Sequence, residues 1–214
     1  MPTVYGVNLS PFVRKVRVVL AEKNVSYELI PVFGAQAPPE FREMSPLGKV
    51  PAFRDGDRTL CDSTVIVAYL ERAHPTPPVY PADPYDYARA LWFEEYGDTA
   101  LVEIIGPKIF FPKVVGPRFM GQEVDEAAAD KAYDELLPKR FDYLEKQLGD
   151  GPYLVGNTFS IADIAIASPL VNLGHAGYSV DAKRWPKLAQ YTTQIHARPT
   201  FVTAITEERG FLGL

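Results

Sequence analysis

Apolar residues near the start of the chain recur in two rhythms. Thr3 to Val7 is a short run rich in strand-forming residues, closed by Asn8, and predicts a buried strand. From Ser10 onward the spacing becomes helical: Val13, Val16, Val19 and Leu20 share a face, with Arg14, Lys15, Arg17 and Lys23 between them. Ser10 stands where an N-cap belongs and Pro11 occupies the first helical position, where a missing N–H costs nothing. Asn24 is the expected stop. Tyr27 to Val32 predicts a second strand, so the opening is a β-α-β unit with a parallel pair. Gly34 to Pro39 reads as a loop and Pro39 to Met44 as a short helix. Two brief strands, Ala52 to Arg54 and Thr59 to Cys61, flank the hairpin signal Asp55-Gly56-Asp57. Asp62 or Ser63 caps the helix that follows, whose apolar face carries Val65, Ile66, Tyr69 and Leu70. The order to this point is β-α-β-α-β-β-α.

The rhythm then stops. His74 to Pro84 holds Pro75, Pro77, Pro78, Pro81 and Pro84, too much proline for a helix, and predicts a stiff linker at a domain boundary. Beyond it no convincing strand pattern returns. Asp83-Pro84 starts a long helix, and Pro107, Pro112 and Pro117 should kink or break the apolar run Ile104 to Phe119. Gln122 to Leu148 reads as a helix interrupted near Pro138. Ser160 and Asp163 have capping-box spacing, with Phe159 and Ile164 placed as a hydrophobic staple. The helix they start is apolar on nearly all sides and should be central; its box is expected to serve folding rather than catalysis. Trp185-Pro186 and Arg198-Pro199 open two more short helices, and the apolar tail Phe211-Leu212-Gly213-Leu214 needs a surface to pack on. The expected division is residues 1–76, a linker at 77–84, and an all-helical region at 85–214.

One stretch resists both rhythms: Ser45-Pro46-Leu47-Gly48-Lys49-Val50-Pro51-Ala52-Phe53. Gly48 permits a tight turn, and Val50 must be extended because Pro51 follows it. Pro51 suits the start of a strand or a cis turn, not a strand interior. A residue pinned in this way can present its own N–H and C=O to an extended, peptide-like ligand, as a strand edge does.

Composition narrows the options. The 214 residues are 47% hydrophobic and 23% charged, with net charge −5, which suits one large domain or two small ones and argues against nucleic acid as the main partner. No run approaches a membrane span and the N-terminus lacks a signal-peptide pattern, so a soluble cytoplasmic protein is expected. Cys61 is the single cysteine, which excludes an intrachain disulfide and a Cys-x-x-Cys site, and it is expected to pack on its strand. His74, His175 and His196 show no ligand spacing, so no metal site is expected.

The β-α-β-α-β-β-α order, the opening Ser-Pro-Phe-Val-Arg-Lys-Val, the Gly-Lys-Val-Pro corner and the Asp62-Ser63 pair together resemble the thioredoxin-like domain of soluble glutathione transferases. The helical half, with Gly156-Asn157-Thr158-Phe159-Ser160-Ile161-Ala162-Asp163, is similar to that family's C-terminal domain. The resemblance spans nearly the whole chain and points to the serine-type classes theta, phi and tau. It implies glutathione as co-substrate, a hydrophobic electrophile as second substrate, a role in detoxification, and a homodimer. By the same resemblance Val50, before Pro51, pairs its backbone with the cysteinyl part of glutathione. Asp62 accepts from the γ-glutamyl ammonium, and Ser63 with the helix N-terminus donates to the adjoining carboxylate. Lys49 faces the glycine carboxylate. Gln36 aligns with a loop position where some members carry His. Many members have Glu in place of Asp62, one methylene longer, so the grip on the ammonium is looser here.

Ser10 is the residue on which activity turns in this resemblance, its hydroxyl donating to the glutathione sulfur. Lowering a thiol pKa from ~8.5 by about two units requires ~2.7 kcal/mol of preference for the thiolate. A hydrogen bond to a charged group supplies roughly 1.5–3 kcal/mol and a helix N-terminus ~0.3–1 more, so no general base is needed. Tyr5 is a rival donor, although a strand-buried tyrosine is the simpler reading, and Arg14 adds field or only a salt bridge. The absence of cysteine at position 10 disfavours disulfide reduction and deglutathionylation, and the Ser-Ser-Cys isomerase pattern is absent too. Phe12, Phe110, Phe111, Phe119 and Phe211 are candidates for an apolar electrophile wall. Two alternatives stay open: a non-catalytic member that binds glutathione or a protein, and a glutathione-dependent dehalogenase, ether-cleaving enzyme or isomerase.

Overall fold

The computed structural model describes residues 1–33 and 37–214. Four strands form one sheet in the order β2-β1-β3-β4: β1 (Thr3–Tyr5), β2 (Glu28–Ile30), β3 (Ala52–Asp55) and β4 (Arg58–Cys61). β1 and β2 are parallel, joined by α1 (Pro11–Glu22), while β3 runs antiparallel to both β1 and β4. β1 and β2 are shorter than the apolar runs suggested and β3 and β4 each one residue longer, but each strand lies where it was expected. Gly56, at φ 58°, turns the β3–β4 hairpin.

Alternation along β1 and β3 sends side chains to two faces. Tyr5 and Ala52 join Val32 and, from α2 (Pro39–Met44), Phe41 and Met44 in one buried cluster. Val4 and Phe53 face the other way, where the Phe53 ring meets Tyr69 of α3 (Ser63–Ala73) at 6.0 Å. α1 packs beside α3.

The basic residues of α1 are buried, which their positions between apolar residues did not foretell. Arg14 is fully buried and makes a two-pronged ion pair with Glu208, Nε donating to Oε1 at 2.7 Å. Arg17 pairs with Glu207 and donates to the Tyr27 hydroxyl at 2.7 Å. Glu207 and Glu208 lie on α11 (Pro199–Leu212), which covers this side of α1. Lys15 is also fully buried and donates to Thr64 Oγ1 at 3.1 Å. The Lys23 ammonium donates to the carbonyls of His74 and Pro77 and pairs with Glu71. Buried charges demand partners of this kind. Together they clip the proline-rich segment and the last helix onto the sheet domain.

By compactness the chain therefore divides into residues 1–80 with 199–214, and residues 81–198. This differs from the expected assignment of every residue beyond 85 to the helical region. Of the apolar tail, which belongs to the first unit, Leu212 is buried while Phe211 and Leu214 stay exposed.

The second unit begins with α4 (Pro84–Tyr96), whose first turn is capped by Asp83 Oδ1, accepting from Tyr85 N and Asp86 N. The prolines beyond it do not break the helical path. It continues in wider π-helical geometry at Gly97–Leu101, passes α5 (Val102–Ile104), turns π-helical again over Ile105–Val115, and closes with α6 (Gly116–Met120). Proline removes one N–H from a helix interior, and around Pro107 and Pro112 the path is bonded i to i+5 in place of i to i+4. α7 (Glu126–Glu135) and α8 (Leu137–Gln147) are the two parts of the helix expected to be interrupted near Pro138, the break falling at Leu136 and the start at Glu126 rather than Gln122. α9 (Ile161–His175) is central and buried, α10 (Pro186–His196) packs on it, and the Asp163 side chain accepts from Ser160 N at 2.9 Å in the expected box. Gly97 touches α9 so closely that a Cβ there would lie 2.5 Å from the Ala165 carbonyl oxygen.

Candidate functional site

Strand register brings the separated motifs together. Tyr5 pairs with Ala52, and Ala52 with Cys61, so the three form one row across β1, β3 and β4. The chain leaves that row toward Ser10 from β1, reaches it through Val50 and Pro51 before β3, and leaves it through Asp62 and Ser63 after β4. Adjacent strands lie ~4.8 Å apart, so the row spans about 10 Å, the reach of an extended tripeptide.

Ser10 caps α1, its Oγ accepting from Val13 N at 3.4 Å. A hydroxyl that accepts in this way keeps its own proton to donate elsewhere. Between Ser10 and the corner lies Gly6, at φ 155°, where an added Cβ would sit 2.5 Å from Val13 Cγ2 and 3.2 Å from Val50 Cβ. Only glycine lets the end of β1 approach both α1 and Val50 this closely. The Val50–Pro51 bond is cis. Among the described residues, neither the N–H nor the C=O of Val50 has a hydrogen-bond partner.

Asp62 adopts φ 76°, an uncommon conformation for a residue with a side chain. Its Oδ1 accepts from Thr64 N at 2.9 Å and Val65 N at 3.2 Å, capping α3. Asp62 is exposed, whereas Ser63, first in the helix, is buried to 3% exposure. Both α1 and α3 start at this end of the sheet, so two helix N-termini, each carrying partial positive charge, face the same region. That arrangement suits anionic groups.

Residues 4–78 match the glutathione S-transferase N-terminal domain, and residues 113–205 match the C-terminal domain. The chain belongs to the glutathione S-transferase family. It is 31% identical over 210 residues to a glutathione S-transferase of Hyoscyamus muticus, a match covering 94% of this chain and 96% of that one. To glutathione S-transferase Z2 of Arabidopsis thaliana it is 28% identical over 212 residues, covering 96% and 91%. Among solved structures, glutathione transferase F7 from Populus trichocarpa is similar with TM-score 0.82 at 25% identity, covering 96% of this chain and 98% of that one.

Within this member of the family the remaining expected residues fall unevenly. The Lys49 side chain is exposed in the turn before Val50. Gln36 lies outside the described residues. Of the aromatic candidates, Phe110 is buried at 5% exposure, which makes its side chain part of the helical core and not a wall open to substrate. Phe12 and Phe111 are half-buried, and Phe119 and Phe211 are exposed, Phe12 and Phe211 in the first unit and Phe111 and Phe119 in the second. Tyr5 is buried in the sheet core with the Arg54 guanidinium 5.5 Å above its ring, which favours the structural reading over a thiol donor. The Arg14 charge is matched by Glu208, so the salt bridge, not an open field, is its role.

Sequence reasoning missed three features of this region. The unusual backbone of Asp62 has no signature beyond an Asp before a helix. Gly6 follows a strand, the one sign that a close approach was coming. Lys15 stood only as a basic residue between the apolar positions of its helix, yet it reaches Thr64, next to Ser63, and so ties the first turn of α3 to α1.

Proposed function

We propose that the protein is a glutathione transferase of the serine type. Glutathione lies across the row Tyr5–Ala52–Cys61, its cysteinyl part paired with the free N–H and C=O of Val50. The γ-glutamyl carboxylate takes the Ser63 hydroxyl and the N–H groups at the start of α3, and Asp62, which spends only Oδ1 on its cap, offers Oδ2 to the ammonium. The sulfur then meets the start of α1, where its thiol proton passes to solvent and the Ser10 hydroxyl, keeping its own proton, donates a hydrogen bond that favours the thiolate. The thiolate attacks an electrophilic carbon of an apolar substrate: a C–S bond forms, and a leaving group departs with the bonding pair or an activated double bond takes it up. Lys49 attends the glycine carboxylate. On this reading the protein works in the cytoplasm as a homodimer, and among the described residues no helix is long and apolar enough to cross a membrane.

The observation that carries the proposal is the register that collects two helix starts and the Val50–Pro51 corner at one end of the sheet. The test is Ser10→Ala, followed by turnover of a panel of electrophiles and by thiolate absorbance of bound glutathione against pH. Loss of a charge-assisted hydrogen bond worth roughly 1.5–3 kcal/mol should raise the bound thiol pKa by about one to two units and lower turnover at neutral pH by about 10- to 100-fold. Glutathione affinity should change little. A parent protein that binds glutathione and turns over no electrophile is a binding protein, and the proposal is then wrong. An alanine variant with unchanged thiol pKa rejects Ser10 as the activating donor.

A further inference from the structure

A peptide unit is planar, so whatever holds its carbonyl also sets the direction of its N–H. In this chain that rule links Ser45 to Val50. Ser45 is buried at 2% exposure just after α2. Its hydroxyl donates to the Lys49 carbonyl at 2.7 Å and accepts from the Lys49 N–H at 3.1 Å. One proton and one lone pair thus engage both backbone groups of a single residue. The turn between them is closed by Gly48, at φ 63°, whose N–H donates to the Ser45 carbonyl at 2.8 Å.

The Lys49 carbonyl and the Val50 N–H belong to the same peptide unit, which is trans. In a trans unit the N–H points opposite to the C=O. With the carbonyl held toward Ser45, the Val50 N–H is aimed away from it, and it is one of the two Val50 backbone groups that no described residue satisfies. On the other side of Val50, its side chain is packed against Gly6. The peptide edge is therefore held from both ends, by a hydroxyl before it and by close packing beside it.

We propose that Ser45 is a positioning residue for tripeptide binding, its hydroxyl orienting the Lys49–Val50 peptide so that the Val50 N–H meets the ligand's cysteinyl carbonyl. The inference rests on the glutathione reading above. It separates binding from chemistry: Ser45 acts on the backbone edge and not on the sulfur, which belongs to Ser10.

The experiment compares Ser45→Ala, Ser45→Thr and Ser45→Val, with glutathione itself as the probe. Glutathione Kd is measured by calorimetry, KM and kcat with one electrophile, the bound thiol pKa by thiolate absorbance, and melting temperature alongside. Removing the hydroxyl should weaken Kd and raise KM for glutathione about tenfold, the loss of one well-made hydrogen bond, with kcat within about twofold and the thiol pKa unmoved. Ser45→Thr, which keeps the hydroxyl, should bind like the parent, and Ser45→Val, of the same bulk without it, should behave like Ser45→Ala. A purely structural serine would lower the melting temperature and leave the ratio of KM to kcat alone. Parent-like affinity in Ser45→Ala or Ser45→Val overturns the inference, as does a fall in kcat with KM unchanged. If both variants fail to fold while Ser45→Thr binds normally, the hydroxyl serves folding and the inference is again overturned. Should the parent itself not bind glutathione, the functional reading fails first and this inference falls with it.

Discussion

Arg14 and Glu208 offer the sharpest test of how the first unit is held together. They lie 194 positions apart, both fully buried, and make a two-pronged pair between α1 and α11. At ~4 Å between charge centres and an effective dielectric near 20, the attraction is about 4 kcal/mol, but both groups had to leave water to make it. The net value of the pair is therefore small, while the penalty for breaking it is not. Arg14→Met takes the guanidinium from a fully buried carboxylate and should cost about 3–5 kcal/mol. At about 2–4 °C per kcal/mol for a chain of this size, the melting temperature should fall by roughly 6–20 °C. The double variant Arg14→Met/Glu208→Leu removes both charges and should recover most of that loss, landing within about 2 kcal/mol of the parent. Urea unfolding of the four proteins, parent, two singles and double, gives the coupling directly. Equal destabilisation in the single and double variants would show that volume, not charge, dominates the contact. A loss under about 1 kcal/mol in Arg14→Met would mean that water reaches the pair, and the argument from burial would be wrong.

Three further outcomes are expected. Burial pushes the Asp163 carboxyl up to about 6 from an ordinary 3.8, against the pull of hydrogen bonds from Leu154 N, Ser160 N, Tyr191 Oη and Ser160 Oγ. The folded state thus prefers the proton, so this group's contribution is largest below pH 4 and is lost as pH rises through about 6, by at most ~3 kcal/mol. Urea midpoints from pH 4 to 8 should show that decline in the parent and not in Asp163→Asn, and equal slopes in both would refute it. At the end of the sheet proposed to hold glutathione, Asp62→Asn keeps the cap and tolerates positive φ but drops the charge, so Kd for glutathione should rise about tenfold with little change in melting. Calorimetry and a melt on the same sample distinguish this from simple loss of the cap, which Asp62→Ala should reveal as ~1 kcal/mol of stability. In the second unit, Gly97→Ala places a Cβ 2.5 Å from the Ala165 carbonyl oxygen and should destabilise by about 1–3 kcal/mol in thermal melts, whereas a parent-like melt would mean that the π-helical segment yields freely.

What the sequence made legible was local. Ser10-Pro11, Asp83-Pro84 and the Ser160–Asp163 box were read correctly because a cap and its helix lie within a few residues of each other, and the physics that selects them acts at that range. What it hid was distant. Nothing near Arg14 or Arg17 announces that α11 will cover them, because their partners stand at positions 207 and 208. The prolines at 107, 112 and 117 carry a true local message, a missing N–H, but nothing near them announces that the path would answer it with π-helical segments. Phe110 shows the same limit, since an aromatic in an apolar run has no mark that separates a substrate wall from a core.

The site joins the two kinds of information, and the order in which they act explains why it could be proposed from motifs yet not built from them. Ser10 and Asp62 each cap a helix for local reasons, and Ser45 closes its own turn for local reasons. Their meeting depends on register: shift β3 by one residue against β1, and Ala52 leaves the row of Tyr5 while every side chain of β3 exchanges faces. Phe53 would then turn from Tyr69 toward the cluster that Tyr5 and Phe41 fill, a loss the fold would not survive. The core thus enforces, through Phe53, the alignment that sets Val50 beside the start of α1. On the proposed reading one register serves both stability and recognition, and a change that harms the packing of the buried Phe53 should raise the Kd for glutathione measured by calorimetry.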